Sequence, residues 1–132
     1  MCMGAATAVP NEAIFDSGAS VSVTTKTFDL PIVDLPHVAV RSFDGVSTLR
    51  KGVIHPTWGP MYFDAGRGMN ILSVHHIWQN PGRYKVWTFS DGTSEIIARR
   101  DDGSYETFRT FWKHNVLMIE WALNGDAASL DK

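Results

Sequence analysis

Three Asp-Gly pairs, Asp44-Gly45, Asp91-Gly92 and Asp102-Gly103, constrain this chain more than any other feature. Asp-Gly between extended runs favours a tight hairpin turn, because both residues tolerate the positive φ such turns require. A chain punctuated in this way folds into antiparallel strands. The flanking runs agree. Residues 37–43 and 46–54 surround the first pair, while residues 83–90, 94–100 and 105–112 are separated by the other two. Nearer the start, Ala13-Ile14-Phe15 is a short apolar run that stops at Asp16. Residues 19–27 set Val21 and Val23 in alternation with Ser and Thr, which reads as another strand. Met61-Tyr62-Phe63 is a further one, followed by the turn Ala65-Gly66-Arg67-Gly68. Pro31 and Pro36 punctuate a loop or edge segment.

One segment departs from the β pattern. Asn70 or Ser73 is placed to cap a short helix through Val74, His75, His76, Ile77 and Trp78, and Asn80-Pro81-Gly82 ends it. Residues 115–123 fit either strand or helix. At 132 residues and 44% hydrophobic the chain has the size and apolar content of one domain with its own core. The expectation is an all-β fold with one short helix. Residues 1–12 read as a flexible lead-in and residues 124–132 as a flexible tail.

Lys and Arg number 12 against 14 Asp and Glu, a net charge of −2. That balance gives no electrostatic reason to expect nucleic acid or an anionic membrane as partner. No apolar run approaches the roughly 20 residues of a membrane-spanning helix. The one cysteine, Cys2, excludes an intramolecular disulfide and a Cys-rich zinc module. These features describe a soluble chain of a reducing compartment.

The chemistry concentrates at Phe15-Asp16-Ser17-Gly18-Ala19-Ser20. A carboxylate closes an apolar strand, and a hydroxyl and a turn-forming glycine follow it. That placement can hold a carboxylate at the floor of a cleft, although Asp, Ser and Gly also favour ordinary turns. The run resembles the active-site loop of retroviral-type aspartic proteases, particularly those of LTR retrotransposon polyproteins. A second segment, Asn70-Ile71-Leu72-Ser73-Val74, is similar to one that copia-type elements carry downstream of their Asp-Ser-Gly. The resemblance covers residues 13–90. Two departures stand out. Retroviral enzymes generally have glycine where this chain has Ser73, and more often threonine where it has Ser17.

The resemblance implies a retropepsin-like closed β-barrel or sandwich with a flap hairpin. It implies a protease domain over residues 13–123, with a core at 13–90 and a β extension at 91–123. Asp16 would be the catalytic carboxylate, with Ser17, Gly18 and Ala19 forming the active-site loop. Ile71 and Leu72 would support that loop from beneath. Phe43, Asp44, Gly45 and Val46 would form the flap tip. The implied substrate is the Gag-Pol polyprotein that contains the domain, cut in the cytoplasm within virus-like particles. No cofactor is implied. A catalytically degenerate or domesticated dimer serving as a binding or assembly module is the alternative.

Hydrolysis by aspartates needs two carboxyls sharing one proton. The chain has one Asp-Ser-Gly and no second Asp-Ser-Gly or Asp-Thr-Gly. A two-fold homodimer supplies the missing carboxyl, since the axis brings both Asp16 residues together. Other candidates have plainer readings. His75-His76 point in different directions and lack a ligand spacing, so no metal is expected. Arg99-Arg100 followed by Asp101-Asp102 reads as a self-compensating hairpin end. The aromatics read as core or dimer interface.

Overall fold

The computed structural model describes residues 11–42 and 45–121. Among them are ten strands and one short helix: β1 (Glu12–Asp16), β2 (Val23–Thr24), β3 (Val33–Ser42), β4 (Gly45–His55), β5 (Gly59–Phe63), β6 (Ile71–Ser73), α1 (Val74–Trp78), β7 (Tyr84–Thr88), β8 (Ser94–Arg99), β9 (Tyr105–Lys113) and β10 (Val116–Glu120). The protein is thus mostly β. All ten strands join one mixed sheet in the order β3-β4-β5-β2-β6-β1-β10-β9-β8-β7. The pairs β1–β6 and β2–β5 are parallel and the others antiparallel.

Among the described residues the sheet is open, which corrects the expectation of a closed barrel: β3 and β7 are its two edges and no ladder joins them. Side chains bridge its two halves instead. Trp58, from the β4–β5 turn, stacks on Tyr84 with ring centroids 5.7 Å apart and packs on Phe108 at 4.7 Å. The Arg83 guanidinium donates to the Pro56 carbonyl, and its Nε to the Thr57 carbonyl at 3.2 Å. Arg100 Nε donates to Thr57 Oγ1 at 3.0 Å. One buried cluster therefore takes Val53, Met61 and Leu72 from one half and Ile96, Phe108 and Ile119 from the other.

Strands β7 to β10 share this core rather than trailing from it. β10 pairs with β1 through Glu12↔Glu120, Ala13↔Ile119 and Ile14↔Met118. The strand that ends at Asp16 consequently has a neighbour of its own chain on each side, β10 and β6.

Local chemistry explains where the strands stop. Gly92 and Gly103 sit at φ of 86° and 88°, as Asp-Gly hairpins require. The β9–β10 turn uses His114 and Asn115 at φ of 52° and 64°, so the last apolar run is a strand from Val116 rather than a helix. Within residues 19–27 only Val23 and Thr24 pair, against the expectation of a longer strand. Thr24 Oγ1 accepts from Lys26 N and donates to Lys26 O, and Ser22 Oγ accepts from the Ser73 amide. Such side-chain bonds compete with a ladder.

The hairpin of β3 and β4 is long and mostly exposed. Residues 45–51 of β4 lie at the surface apart from half-buried Leu49, whereas Gly52, Val53 and His55 are buried. Ser42 opposes Gly45, so Gly45 opens β4 and the two residues between them, Phe43 and Asp44, lie outside the described residues. The register of β3 shifts between Asp34 and Val38, around Pro36, whose carbonyl accepts from the Tyr62 hydroxyl.

Candidate functional site

Asp16 ends β1, and the chain turns at once. The Gly18 amide donates to Asp16 Oδ1 at 2.7 Å, closing a three-residue turn on the carboxylate. A Cβ on Gly18 would stand 3.3 Å from that oxygen, a tight approach that glycine relieves. Among the described residues the second carboxylate oxygen accepts no hydrogen bond. Asp16 and Ala19 are half-buried, while Ser17, Gly18 and Ser20 are exposed. One oxygen is thus oriented by the backbone.

Similar turns occur elsewhere: after interior strand β5 the Gly66 amide donates to Asp64 Oδ1 at 3.2 Å, the same Asp-x-Gly arrangement as at Asp16. Asp91 Oδ1 accepts from both the amide and hydroxyl of Thr93, at 2.9 and 2.5 Å, and Asp102 Oδ1 from those of Ser104, at 2.9 and 2.6 Å. Those hydroxyl and amide bonds hold both carboxyls below the ordinary carboxylate value. Both lie in exposed hairpin turns at the sheet's periphery. Asp16 and Asp64 both have glycine two residues on, so no turn hydroxyl occupies their Oδ1, but Asp64 Oδ2 is paired with Arg67 at 3.5 Å, whereas Asp16 ends β1 opposite Ser73 of β6.

Beside β1, β6 runs parallel to it with Ile14 opposite Ile71, Phe15 opposite Leu72 and Asp16 opposite Ser73. The two sequence segments singled out above therefore lie side by side. Leu72 is fully buried in the core and Ile71 half-buried.

Ser73 is the residue that sequence reasoning undervalued. It is fully buried, and its hydroxyl donates to the Ala19 carbonyl at 2.6 Å. The same oxygen accepts from the His76 amide at 3.3 Å, capping α1, and the Ser73 amide donates to Ser22 Oγ at 2.9 Å. Asn70 does not cap the helix. Its Oδ1 accepts from the Thr25 amide and hydroxyl at 2.8 and 2.9 Å, and its Nδ2 donates to the Glu12 carbonyl at 2.8 Å. A buried amide in that position ties the start of β1 to the end of β2. The usable signal was a polar residue directly before an apolar run destined for the interior.

The flap residues are only partly described. Gly45 and Val46 sit at the outward end of β4, with Val46 61% exposed and opposite Arg41. The histidines stand apart from Asp16's loop in role. His55 is buried and its Nδ1 accepts from the amides of Thr57 and Trp58, while His76 meets Tyr84 edge-on. Among the described residues no three His, Cys, Asp or Glu side chains converge as metal ligands.

Chemically, the loop presents an oriented, half-buried carboxylate whose second oxygen receives no hydrogen bond from the described residues, suited to positioning a water as a general base. It lacks a second carboxyl within the same loop. Comparison with protein families, with curated proteins and with solved structures finds no match for this chain.

Proposed function

We propose that this chain is a retropepsin-like aspartic endopeptidase, active as a homodimer and directed at the retrotransposon polyprotein that contains it. The observation that supports this most is the setting of Asp16: it ends an interior strand, its Oδ1 is held by the Gly18 amide, and Ile71-Leu72-Ser73 lies alongside. In the dimer the two Asp16 carboxyls share one proton, because like charges that close cannot both ionise. The ionised member takes a proton from a water as that water attacks the peptide carbonyl. The protonated member donates to the carbonyl oxygen, giving a tetrahedral gem-diol. Its collapse breaks the C–N bond, and the departing nitrogen takes up a proton. The β3–β4 hairpins of both subunits close over an extended substrate, which pairs with them through strand-like main-chain bonds.

The test is cleavage of a purified precursor, with the domain joined to its flanking segments, from mildly acidic to neutral pH. Wild type and Asp16→Asn are compared at several protein concentrations. Cleavage that rises with concentration and disappears in Asp16→Asn is the expected result. Equal cleavage by both proteins overturns the assignment. A folded dimer that cleaves nothing points to the binding or assembly module instead.

A further inference from the structure

We propose that Ser73 is the positioning residue of the Asp16 loop, its hydroxyl joining that loop to α1 through a single buried oxygen. The inference rests on the endopeptidase reading for its catalytic consequence, but not for its structural one. Ser73 grips the loop at two places. Its hydroxyl proton goes to the Ala19 carbonyl, and its amide proton goes to Ser22 Oγ. Ser22, Ser73 and the bond between them are shielded from water, with Ser22 4% exposed and Ser73 0%. The Ser22 bond is buried and has no solvent to replace it, and the Ala19 bond is partly buried, its donor fully so.

The residues held by Ser73, Ala19 and Ser22, follow the Asp16-Ser17-Gly18 turn, Ala19 directly. Gly18, whose amide orients the Asp16 carboxylate, is bonded in sequence to Ala19, whose carbonyl Ser73 holds. Moving Ala19 therefore moves the Gly18 amide. Ser73 also lies directly across the parallel ladder from Asp16, so its own position is referenced to the catalytic residue's backbone.

The donor and acceptor roles of the hydroxyl are both used. Its one proton serves Ala19, and a lone pair receives the His76 amide at the start of α1. Alanine and glycine lack both functions. Cysteine nearly keeps the volume but donates poorly, and threonine keeps the hydroxyl. That ordering separates positioning from packing.

The experiment compares wild type with Ser73→Ala, Ser73→Cys and Ser73→Thr in the precursor-cleavage assay, below the unfolding temperature of each. Backbone amide relaxation of residues 17–21 is measured on the same proteins. For Ser73→Ala and Ser73→Cys the expected kcat is about 10- to 100-fold lower, in line with the cost of a small misplacement of a catalytic group. KM changes little, the loop amides gain motion, and Ser73→Thr restores most of both. Full kcat in a folded Ser73→Ala or Ser73→Cys overturns the proposal. Should wild type cleave nothing, the endopeptidase reading fails by itself, and relaxation then decides: loop amides as rigid in Ser73→Cys as in wild type overturn the positioning role, and mobilised ones uphold it.

Discussion

The Trp58 indole N–H donates to the Trp121 backbone carbonyl at 2.8 Å, and the Trp121 amide in turn donates to the Asn11 carbonyl at 3.0 Å. A residue of the β4–β5 turn, the end of β10 and the entry to β1 are thereby joined in the core. Both tryptophans are fully buried. Trp58→Phe removes the donor, leaves a buried carbonyl without it and opens space beside Tyr84 and Phe108. The expected cost is about 2–4 kcal/mol, combining an unsatisfied group with a cavity. Urea unfolding of the variant measures it. A loss below about 1 kcal/mol would show that the strands after residue 90 stabilise β1 by other means.

Gly52 is the second point of structural necessity. It lies in β4 between Val33 of β3 and Tyr62 of β5, at the base of the projecting hairpin. A Cβ there would overlap the Met61 carbonyl oxygen and the Leu35 side chain. Strand backbone cannot yield as a flexible side chain does. Gly52→Ala should therefore destabilise by about 3 kcal/mol or more, despite alanine's lower unfolded-state entropy. A thermal midpoint equal to wild type would mean that β4 and β5 separate at this position in solution.

How much of this was readable beforehand follows from the range of each interaction. The turns at Asp91-Gly92 and Asp102-Gly103 were legible because the chemistry that makes them lies within two residues. The turn at His114-Asn115 was not, since neither residue is glycine, although asparagine tolerates positive φ well enough to have been a warning. The alternation through Val21 and Val23 suggested a strand, but Ser73, far away in sequence, captures Ser22 and keeps most of that segment a loop. Arg100 and Asp101 looked self-compensating. In the fold Arg100 pairs with Glu106, and Asp101 with Arg83 at 2.9 Å. Asp16 and its neighbours stood out by local pattern, whereas the insertion of β1 between β6 and β10 depends on pairings no local pattern encodes.

His76 makes stability pH-dependent on the acid side. Burial, then the positive charge of Arg83, holds its imidazole below the ordinary value of 6.5, outweighing a backbone bond with Trp58. The unfolded chain therefore binds the proton more readily. Stability is unaffected above 6.5 and declines as the pH falls from there towards the lowered folded value. Asp34, Asp91 and Asp102 are held below 3.8, so their contributions fade only in a more acidic window. His76→Gln removes the first decline and leaves the second. Unfolding free energies for the two proteins should differ least in mild acid and most at neutral pH if the Gln packs less well; parallel curves would exclude His76 as the titrating group.

The hairpin offers a final division between folding and function. Val53 is fully buried at its base, and Val46 is 61% exposed at its far end. Val53→Ala should cost about 1–3 kcal/mol through lost burial and a residual cavity. Val46→Ser gives up little buried surface, so its unfolding free energy should stay within about 0.5 kcal/mol of wild type. On the proposed function, however, Val46 lies on the element that closes over substrate, and its apolar surface is buried only when substrate is bound. Precursor cleavage by Val46→Ser should then fall about tenfold in kcat/KM, the equivalent of about 1.4 kcal/mol of lost transition-state binding. Unchanged cleavage would remove the hairpin end from the substrate site. A stability loss as large as that of Val53→Ala would instead mean that Val46 is already packed in the unliganded protein, and that the hairpin rests closed.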